Sequence, residues 1–293
     1  MSENTEEKKS KRAHRQLQDM VIHRVLDRIK YKLFVMSGKG GVGKSTVAVN
    51  LALALTRTTT GTVGLLDVDL HGPSVPRMLG LTVNAQVDEN RNISPVSYSP
   101  KLEVLSIESI VRDKDTAIVW RGPLKLNMIR QFISDVEWGD LDYLVIDSPP
   151  GTGDEPLTVA QTIGGAQAVV VTTPQEIALA DVRKSINFCK QVNLKVLGVV
   201  ENMSGFVCPK CGERVDLFSS GGGEKMAKDA GIPFLGRIPL DPEVVKSGDQ
   251  GRPYLAAQRD TETGRAYRDV VDRILEELAK IPLDPGPVEP HAH

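Results

Sequence analysis

The stretch that most constrains this chain is Gly38-Lys39-Gly40-Gly41-Val42-Gly43-Lys44-Ser45-Thr46, set between the apolar run FVMS and the helix-forming run VAVNLALAL. It fits the pattern G-x-x-x-x-G-K-S/T in a strand–loop–helix context. Glycines allow the backbone to wrap an anion with its N–H groups pointing inward. The helix that follows presents its positive N-terminus to the same anion. Lys44 is expected to reach the β- and γ-phosphates of ATP, and the Ser45 hydroxyl to ligate Mg²⁺. All nine residues, Gly38 to Thr46, form the expected nucleotide cradle.

Around this loop, apolar runs rich in β-formers appear at Lys32–Ser37, Val63–Val68, Leu102–Ile107, Tyr143–Ile146, Ala168–Thr172, Lys195–Glu201 and Pro233–Ile238, with helix-like stretches between most of them. Near-continuous apolar strands alternating with helices predict an α/β fold: a mostly parallel sheet with helices on both faces. No Pro/Gly/Ser-rich linker divides the region, so residues 31–281 are expected to form a single domain. The last helix is expected over Thr261–Ala279, and the Pro-rich residues 282–293 as a disordered tail.

Charge bears on partners. Lys and Arg number 36 against 38 Asp and Glu, a net of −2, which argues against a nucleic-acid coat. Residues 1–32 hold nine Lys/Arg and five Asp/Glu, so the rest of the chain carries −6. Residues 1–30 are expected to form a charged tail to about residue 12, then an amphipathic helix carrying Leu17, Met20, Val21 and Val25, with Ile29 and Leu33 continuing the spacing. That helix either packs on the domain's own surface or contacts a partner or membrane surface. The apolar runs fall far short of the roughly 18 residues of a membrane span. The polar N-terminus shows no secretory signal, and the three cysteines form no disulfide framework, so a reducing, cytoplasmic setting is expected, with no membrane attachment.

Two strands end in carboxylates: Leu65-Leu66-Asp67-Val68-Asp69, and Leu144-Val145-Ile146-Asp147 followed by Ser148-Pro149-Pro150-Gly151. An Asp at a strand end is often a turn former, but beside a phosphate loop it is placed to hold Mg²⁺, and Asp147 is given that role. Asp67 is expected to be structural.

Lys39, a second lysine just after the first glycine, makes KGGVGKST resemble the deviant Walker A loop of the signature-lysine class, which includes the nitrogenase iron protein and the MinD and ParA positioning ATPases. The resemblance implies a nucleotide-sandwich homodimer in which Lys39 acts on the partner's nucleotide. It also implies that Asp69 orients the attacking water and that the Gly151 N–H meets the γ-phosphate. By the same resemblance Asn202 reads the adenine edge, and the segment Gly236–Asp241, with Pro239, flanks the base. Asn202 also reads as a plain turn residue.

Cys208-Pro209-Lys210-Cys211-Gly212 is a CxxC knuckle whose two thiolates can grip one metal, whereas a tetrahedral site needs four. Cys189 lies in a helix-like run and is expected in the core. Two copies of CxxC across a two-fold axis would complete Cys₄, for a [4Fe–4S] cluster or for Zn²⁺. KGGVGKST, DVDLHGPS, DSPPGTGD, VENMS, CPKCG and FSSGGGE together resemble the Mrp/ApbC family of iron–sulfur cluster carrier ATPases, over roughly residues 30–280. The resemblance implies an ATP-hydrolysing homodimer that holds a cluster at Cys208 and Cys211 and passes it from the assembly scaffold to apo iron–sulfur proteins. Many bacterial members carry an extra N-terminal domain, and the eukaryotic scaffold branch a four-cysteine motif; neither is in this sequence. The alternative is a MinD/ParA-like positioning ATPase with a structural zinc knuckle. A reductase like the nitrogenase iron protein fits less well, because its two cluster cysteines per subunit are well separated.

Overall fold

In the computed structural model the described residues are 3–70, 72–89, 92–109, 122–207, 211, 213–215, 217, 220–257 and 260–282. The strands are β1 (Ile29–Met36), β2 (Val63–Asp67), β3 (Gln86–Val87), β4 (Ile93–Ser94), β5 (Val96–Ser99), β6 (Leu102–Ser106), β7 (Leu141–Asp147), β8 (Gln167–Thr172), β9 (Lys195–Val207), β10 (Arg214–Val215) and β11 (Phe234–Leu240). The α-helices are α1 (Glu3–Asp27), α2 (Lys44–Thr58), α3 (Val75–Leu79), α4 (Gly122–Ser134), α5 (Asp154–Thr162), α6 (Glu176–Gln191), α7 (Gly222–Ala230), α8 (Pro242–Asp249) and α9 (Glu262–Ala279). One sheet of nine strands runs β10-β9-β8-β1-β7-β2-β6-β5, with β11 on the outer edge of β9. Strands β11, β9, β8, β1, β7, β2 and β6 are mutually parallel; β5 and β10 run antiparallel at the two ends.

The apolar runs become strands because both faces are covered. In β1, Leu33 and Val35 enter a core with α2, α3, α8 and α9, while Phe34 and Met36 enter a second core with α1, α4, α5, α6 and α7. All four are fully buried, and each such side chain contributes about 1.5–3 kcal/mol of burial. Helix α2 follows the phosphate loop at the centre of the first core; its run from Val47 to Leu55 is buried throughout, which explains a helix apolar on every side.

The expected strands are present, and the fold is the mostly parallel, helix-covered sheet that the sequence predicts. Three details differ. The N-terminal helix begins at Glu3, where a tail to about residue 12 was expected; the Glu-, Lys- and Arg-rich sequence favours helix there. Ile22 and Leu26 join the core of α4 and the expected Val25 packs against it, whereas Leu17 and Met20 are 63% and 65% exposed. Ile29 and Leu33 are not on the helix at all, because the chain turns at Asp27 and enters β1, with the Lys32 ammonium donating to the carbonyls of Leu26 (3.0 Å) and Ile29 (3.1 Å). Strand β9 extends to Val207, well beyond the expected Glu201, so Asn202 lies within the strand. The short strands β3, β4, β5 and β10 were not expected; they carry little buried apolar surface to mark them. Residues 283–293, expected as a tail, lie outside the described residues. Among the described residues no helix is long and apolar enough to cross a membrane.

Candidate nucleotide site and cysteine hairpin

Strand register builds the site. Val35 of β1 pairs with Asp147 of β7, Asp147 with Asp67 of β2, and Asp67 with Ser106 of β6. In parallel strands, paired residues face the same side of the sheet, so two carboxylates lie adjacent under the start of α2. The loop between β1 and α2 bends through Gly41 (φ 80°) and Gly43 (φ 79°), left-handed conformations that favour glycine. Gly38 is needed for space: a Cβ there would sit 2.4 Å from the Asp181 carbonyl oxygen of α6. Ser37 ties the loop from within, its hydroxyl donating to the Lys39 carbonyl at 2.8 Å.

Lys44 is buried and forms an ion pair with the fully buried Asp147. Its ammonium also lies 3.4 Å from the Ser45 hydroxyl. The structure therefore brings together Lys44, Ser45 and Asp147. Burial pushes the Asp147 carboxyl up; Lys44 and the Ser45 hydroxyl pull it back, and Asp69 pushes it up further. Its Oδ2 atom is buried with no hydrogen-bond partner among the described residues. Asp67 is pushed up to about 7, first by burial and then by the Asp147 charge. One lysine thus faces two closely spaced carboxylates, one with an orphaned oxygen. That donor set fits a small divalent cation such as Mg²⁺, with hard oxygen ligands beside a phosphate cradle.

Asp67 has structural partners. Its oxygens accept from the Asp69 amide (3.1 Å), the Val75 amide at the start of α3 (3.3 Å) and the Ser106 hydroxyl (3.2 Å). Asp69, two residues on and 9% exposed, sits at the exit of β2. Different outcomes follow. Asp67→Ala should lower stability by on the order of 3 kcal/mol, since it strands buried donors. Asp69→Asn should keep the melting temperature and nucleotide binding but slow turnover by about a hundredfold. Melting curves and steady-state ATPase rates on both variants check this; if turnover is lost in the Asp67 variant and kept in the Asp69 variant, the two roles are reversed.

Two other site residues have engagements that the sequence did not show. The Gly151 N–H donates to the Ser37 carbonyl at 2.8 Å, so meeting a phosphate would require that bond to open. The Asn202 side-chain amide donates to the Val42 carbonyl of the loop at 2.9 Å. Pro239 lies in β11, one residue past Ile238, the register partner of Asn202. It lines a hollow of about 260 Å³ with Asp241, Thr261 and Thr263.

Of the cysteines, Cys189 is buried on α6 with its thiol 3.3 Å from the Met36 sulfur, and burial pushes it up to about 12. Cys211 is exposed. At the far end of β9, Phe206 pairs with Val215 and Val207 with Arg214 of β10. The chain from 208 to 213 therefore joins two antiparallel strands, and Cys211 lies in that connection. Cys208 falls outside the described residues. Sequence reasoning missed Glu201 and Met203. Glu201 was signalled by a lone carboxylate ending the apolar run VLGVV; Met203 takes φ 57°, which no local pattern announces.

A parallel sheet with a phosphate loop after its central strand, a buried Lys–Asp pair across the loop and carboxylates at neighbouring strand ends define a P-loop NTPase of the MinD/ParA type. More narrowly, the chain belongs to the NUBPL iron-transfer P-loop NTPase family, whose model, ParA, matches residues 28–275. It is similar to an iron–sulfur cluster carrier protein of Methanocaldococcus jannaschii, 47% identical over 262 residues that cover 89% of each chain. A protein of the same description from Saccharolobus solfataricus is 45% identical over 258 residues, covering 88% of this chain and 87% of that one. Among solved structures, a nucleotide-binding protein of Archaeoglobus fulgidus, in complex with ADP and with cobalt found in it, is 43% identical with a TM-score of 0.71, covering 80% of this chain and 91% of that one. The cell division ATPase MinD of Pyrococcus furiosus, 22% identical with a TM-score of 0.63, covering 84% of this chain and 99% of that one, shares the fold.

Proposed function

We propose that this protein is an ATP-hydrolysing carrier of iron–sulfur clusters that works as a homodimer and delivers its cargo to apo iron–sulfur proteins. The observation that carries the proposal is one strand, β9: beside the phosphate loop it supplies Asn202, and at its end it pairs with β10, the connection between the two containing the CxxC cysteines. The relatives described as iron–sulfur cluster carrier proteins support it. One chain supplies two knuckle thiols, and Cys189 is locked in the core, so a four-thiolate site calls for a second chain. The cluster, taken as [4Fe–4S], is cargo: held by the knuckle thiolates of two chains, of which Cys211 is exposed, it would lie where an acceptor's cysteines can reach it. Zn²⁺ is the competing occupant of the same thiolates.

At the nucleotide, Lys44 faces the phosphate oxygens, the loop amides from Gly38 to Thr46 cradle them, and Asp69 orients water. Ser45 and Asp147 are the residues that would hold Mg²⁺, which when bound supplies positive charge at the phosphate oxygens. Asn202 and Pro239 are assigned to the base. Lys39, half-buried in the loop, is assigned to the partner's nucleotide. Lys39→Ala should therefore retain ATP binding within a few-fold while losing hydrolysis by about a hundredfold or more. Equilibrium nucleotide titration beside a steady-state ATPase assay checks this, and a wild-type hydrolysis rate would remove Lys39 from the mechanism. Reconstitution of the full-length protein with iron and sulfide under anaerobic conditions, followed by an absorption spectrum and a metal count, tests the carrier role: about four irons per two chains are expected.

A further inference from the structure

The buried carboxylate of Glu201 has no role in the nucleotide chemistry, yet it is fully enclosed within β9, at the position paired with Thr172 of β8. A carboxylate withdrawn from water persists where charge-assisted hydrogen bonds replace its hydration. Glu201 has several. Its Oε1 accepts from the Ser204 hydroxyl (2.5 Å) and the Gly221 N–H (3.0 Å), its Oε2 accepts from the Gly223 N–H (2.6 Å), and Arg237 Nε lies 3.5 Å from Oε1. Gly223 is packed onto the group so closely that a Cβ would stand 3.0 Å from Oε2.

These bonds close a loop in the chain. Glu201 precedes the segment that carries Cys208 and Cys211, and Gly221 and Gly223 follow it, so one side chain fastens both ends of the cysteine-bearing excursion at its root. The adjoining residues contact the phosphate loop. Asn202 donates to the Val42 carbonyl at 2.9 Å, and its Nδ2 stands 2.3 Å from where a Gly43 Cβ would be. Met203, turned by its φ of 57°, brings its methyl carbon to 3.4 Å from the same point. Residues 201–204 thus touch the phosphate loop on one side and the root of the cysteine excursion on the other.

We propose that Glu201 is a positioning residue that transmits the state of the phosphate loop to the CxxC hairpin. A shift of the Val42 carbonyl as the loop closes on phosphate moves Asn202, and the rigidly bonded Glu201 carries that displacement to Gly221, Gly223 and the hairpin root. The link is a contiguous chain of hydrogen bonds and backbone, the kind of connection that carries coupling between two sites. It rests on the carrier reading for what the hairpin holds, but not for whether the hairpin responds.

The test uses the full-length protein without cluster. The rate at which iodoacetamide alkylates Cys208 and Cys211 is measured by mass spectrometry, with and without a non-hydrolysable ATP analogue and Mg²⁺. Cys189, buried, serves as the unreactive internal reference. Wild-type protein should change its rate by at least about fivefold on adding nucleotide, the low end of coupling between sites, and Glu201→Gln should change by less than about twofold. Its nucleotide affinity and far-UV spectrum should match wild type. Glutamine keeps the shape but turns an NH₂ group toward amide donors, so the root is loosened without a cavity. Ser204→Ala, which removes a single donor, should give an intermediate response and decides the matter if the Glu201 variant does not fold. A full nucleotide response in the folded Glu201→Gln protein, or in Ser204→Ala when that variant stands alone, overturns the proposal, as does a wild-type protein whose thiols ignore nucleotide. Wild-type protein that takes up no cluster, yet whose thiols respond, would keep this coupling and remove the carrier role instead.

Discussion

Replacing Lys44 with alanine should abolish ATP hydrolysis and destabilise the nucleotide-free protein together. The first effect follows from losing the charge that faces the transferred phosphoryl group; removal of a single such donor lowers kcat by about 10²–10³. The second follows from the Lys44–Asp147 pair, in which both partners are buried. Deleting one member of a buried pair costs about 3–5 kcal/mol, because the remaining charge is left uncompensated. Asp147 can escape that cost only by taking up a proton, and burial already pushes its carboxyl in that direction. The sign is therefore fixed. A carboxyl whose folded-state pKa is raised is destabilising where the unfolded chain would be ionised, and the penalty fades as pH falls toward the ordinary value of 3.8. The melting-temperature gap between Lys44→Ala and wild type should be widest near neutral pH and narrow on acidification. Lys44→Ala/Asp147→Asn should regain most of the lost stability without regaining activity, a non-additivity expected of residues in contact. Thermal melts across pH and a steady-state ATPase assay measure both. Wild-type turnover in the single variant, or a double variant no more stable than the single, would contradict the assignment.

The phosphate loop was legible because its chemistry demands residue types at fixed local spacing. Gly41, Gly43, Lys44 and Ser45 can be placed from nine consecutive letters, and the structure puts Lys44 and Ser45 against Asp147. The fold was legible for a similar reason: a run such as Leu33–Met36 that is apolar at every position belongs to a strand covered on both sides. What could not be read is non-local. That Asp67 pairs with Asp147 depends on strand register across a separation of eighty residues, and the Asp67 carboxyl is pushed up to about 7 first by burial and then by that neighbouring charge. The engagement of Asn202 with Val42, and of Gly151 with Ser37, likewise belongs to packing between distant segments. On α1, helical periodicity identified an apolar stripe that was only partly right: Val25 packs on the core, but spacing alone does not say that Ile22 and Leu26 meet α4 while Leu17 and Met20 face outward. The end of β9 misled for the opposite reason. Glu201-Asn202 looks like the end of a strand by composition, yet hydrogen bonds to β11 and β10 carry the strand on to Val207.

Cys208→Ala and Cys211→Ala should each take cluster content from one per two chains to none, while ATP binding stays at its wild-type level. Two thiolates per chain are the minimum for a Cys₄ site on a two-fold axis, so losing one per chain leaves two ligands where four are needed. No other cysteine can substitute. Cys189 is packed against Met36 in the core, and burial pushes its thiol up to about 12, whereas a cluster ligand must be a thiolate. Cys189→Ala should therefore leave the cluster in place and cost stability alone, about 1 kcal/mol for the lost packing. Cys211 is exposed, within reach of solvent and of an acceptor's thiols. The cluster should accordingly be labile, bleaching within minutes of adding a strong iron chelator, as suits a donor more than an electron carrier. The decisive readouts are iron and sulfide per chain after anaerobic reconstitution, and the rate at which each variant activates an apo iron–sulfur enzyme. Tight zinc that iron and sulfide do not displace would turn the knuckle into a structural site. A Cys208→Ala/Cys211→Ala protein that still activated the apo-enzyme at the wild-type rate would place the cargo elsewhere, and the hairpin at the end of β9 would then be an attachment surface without a cluster of its own.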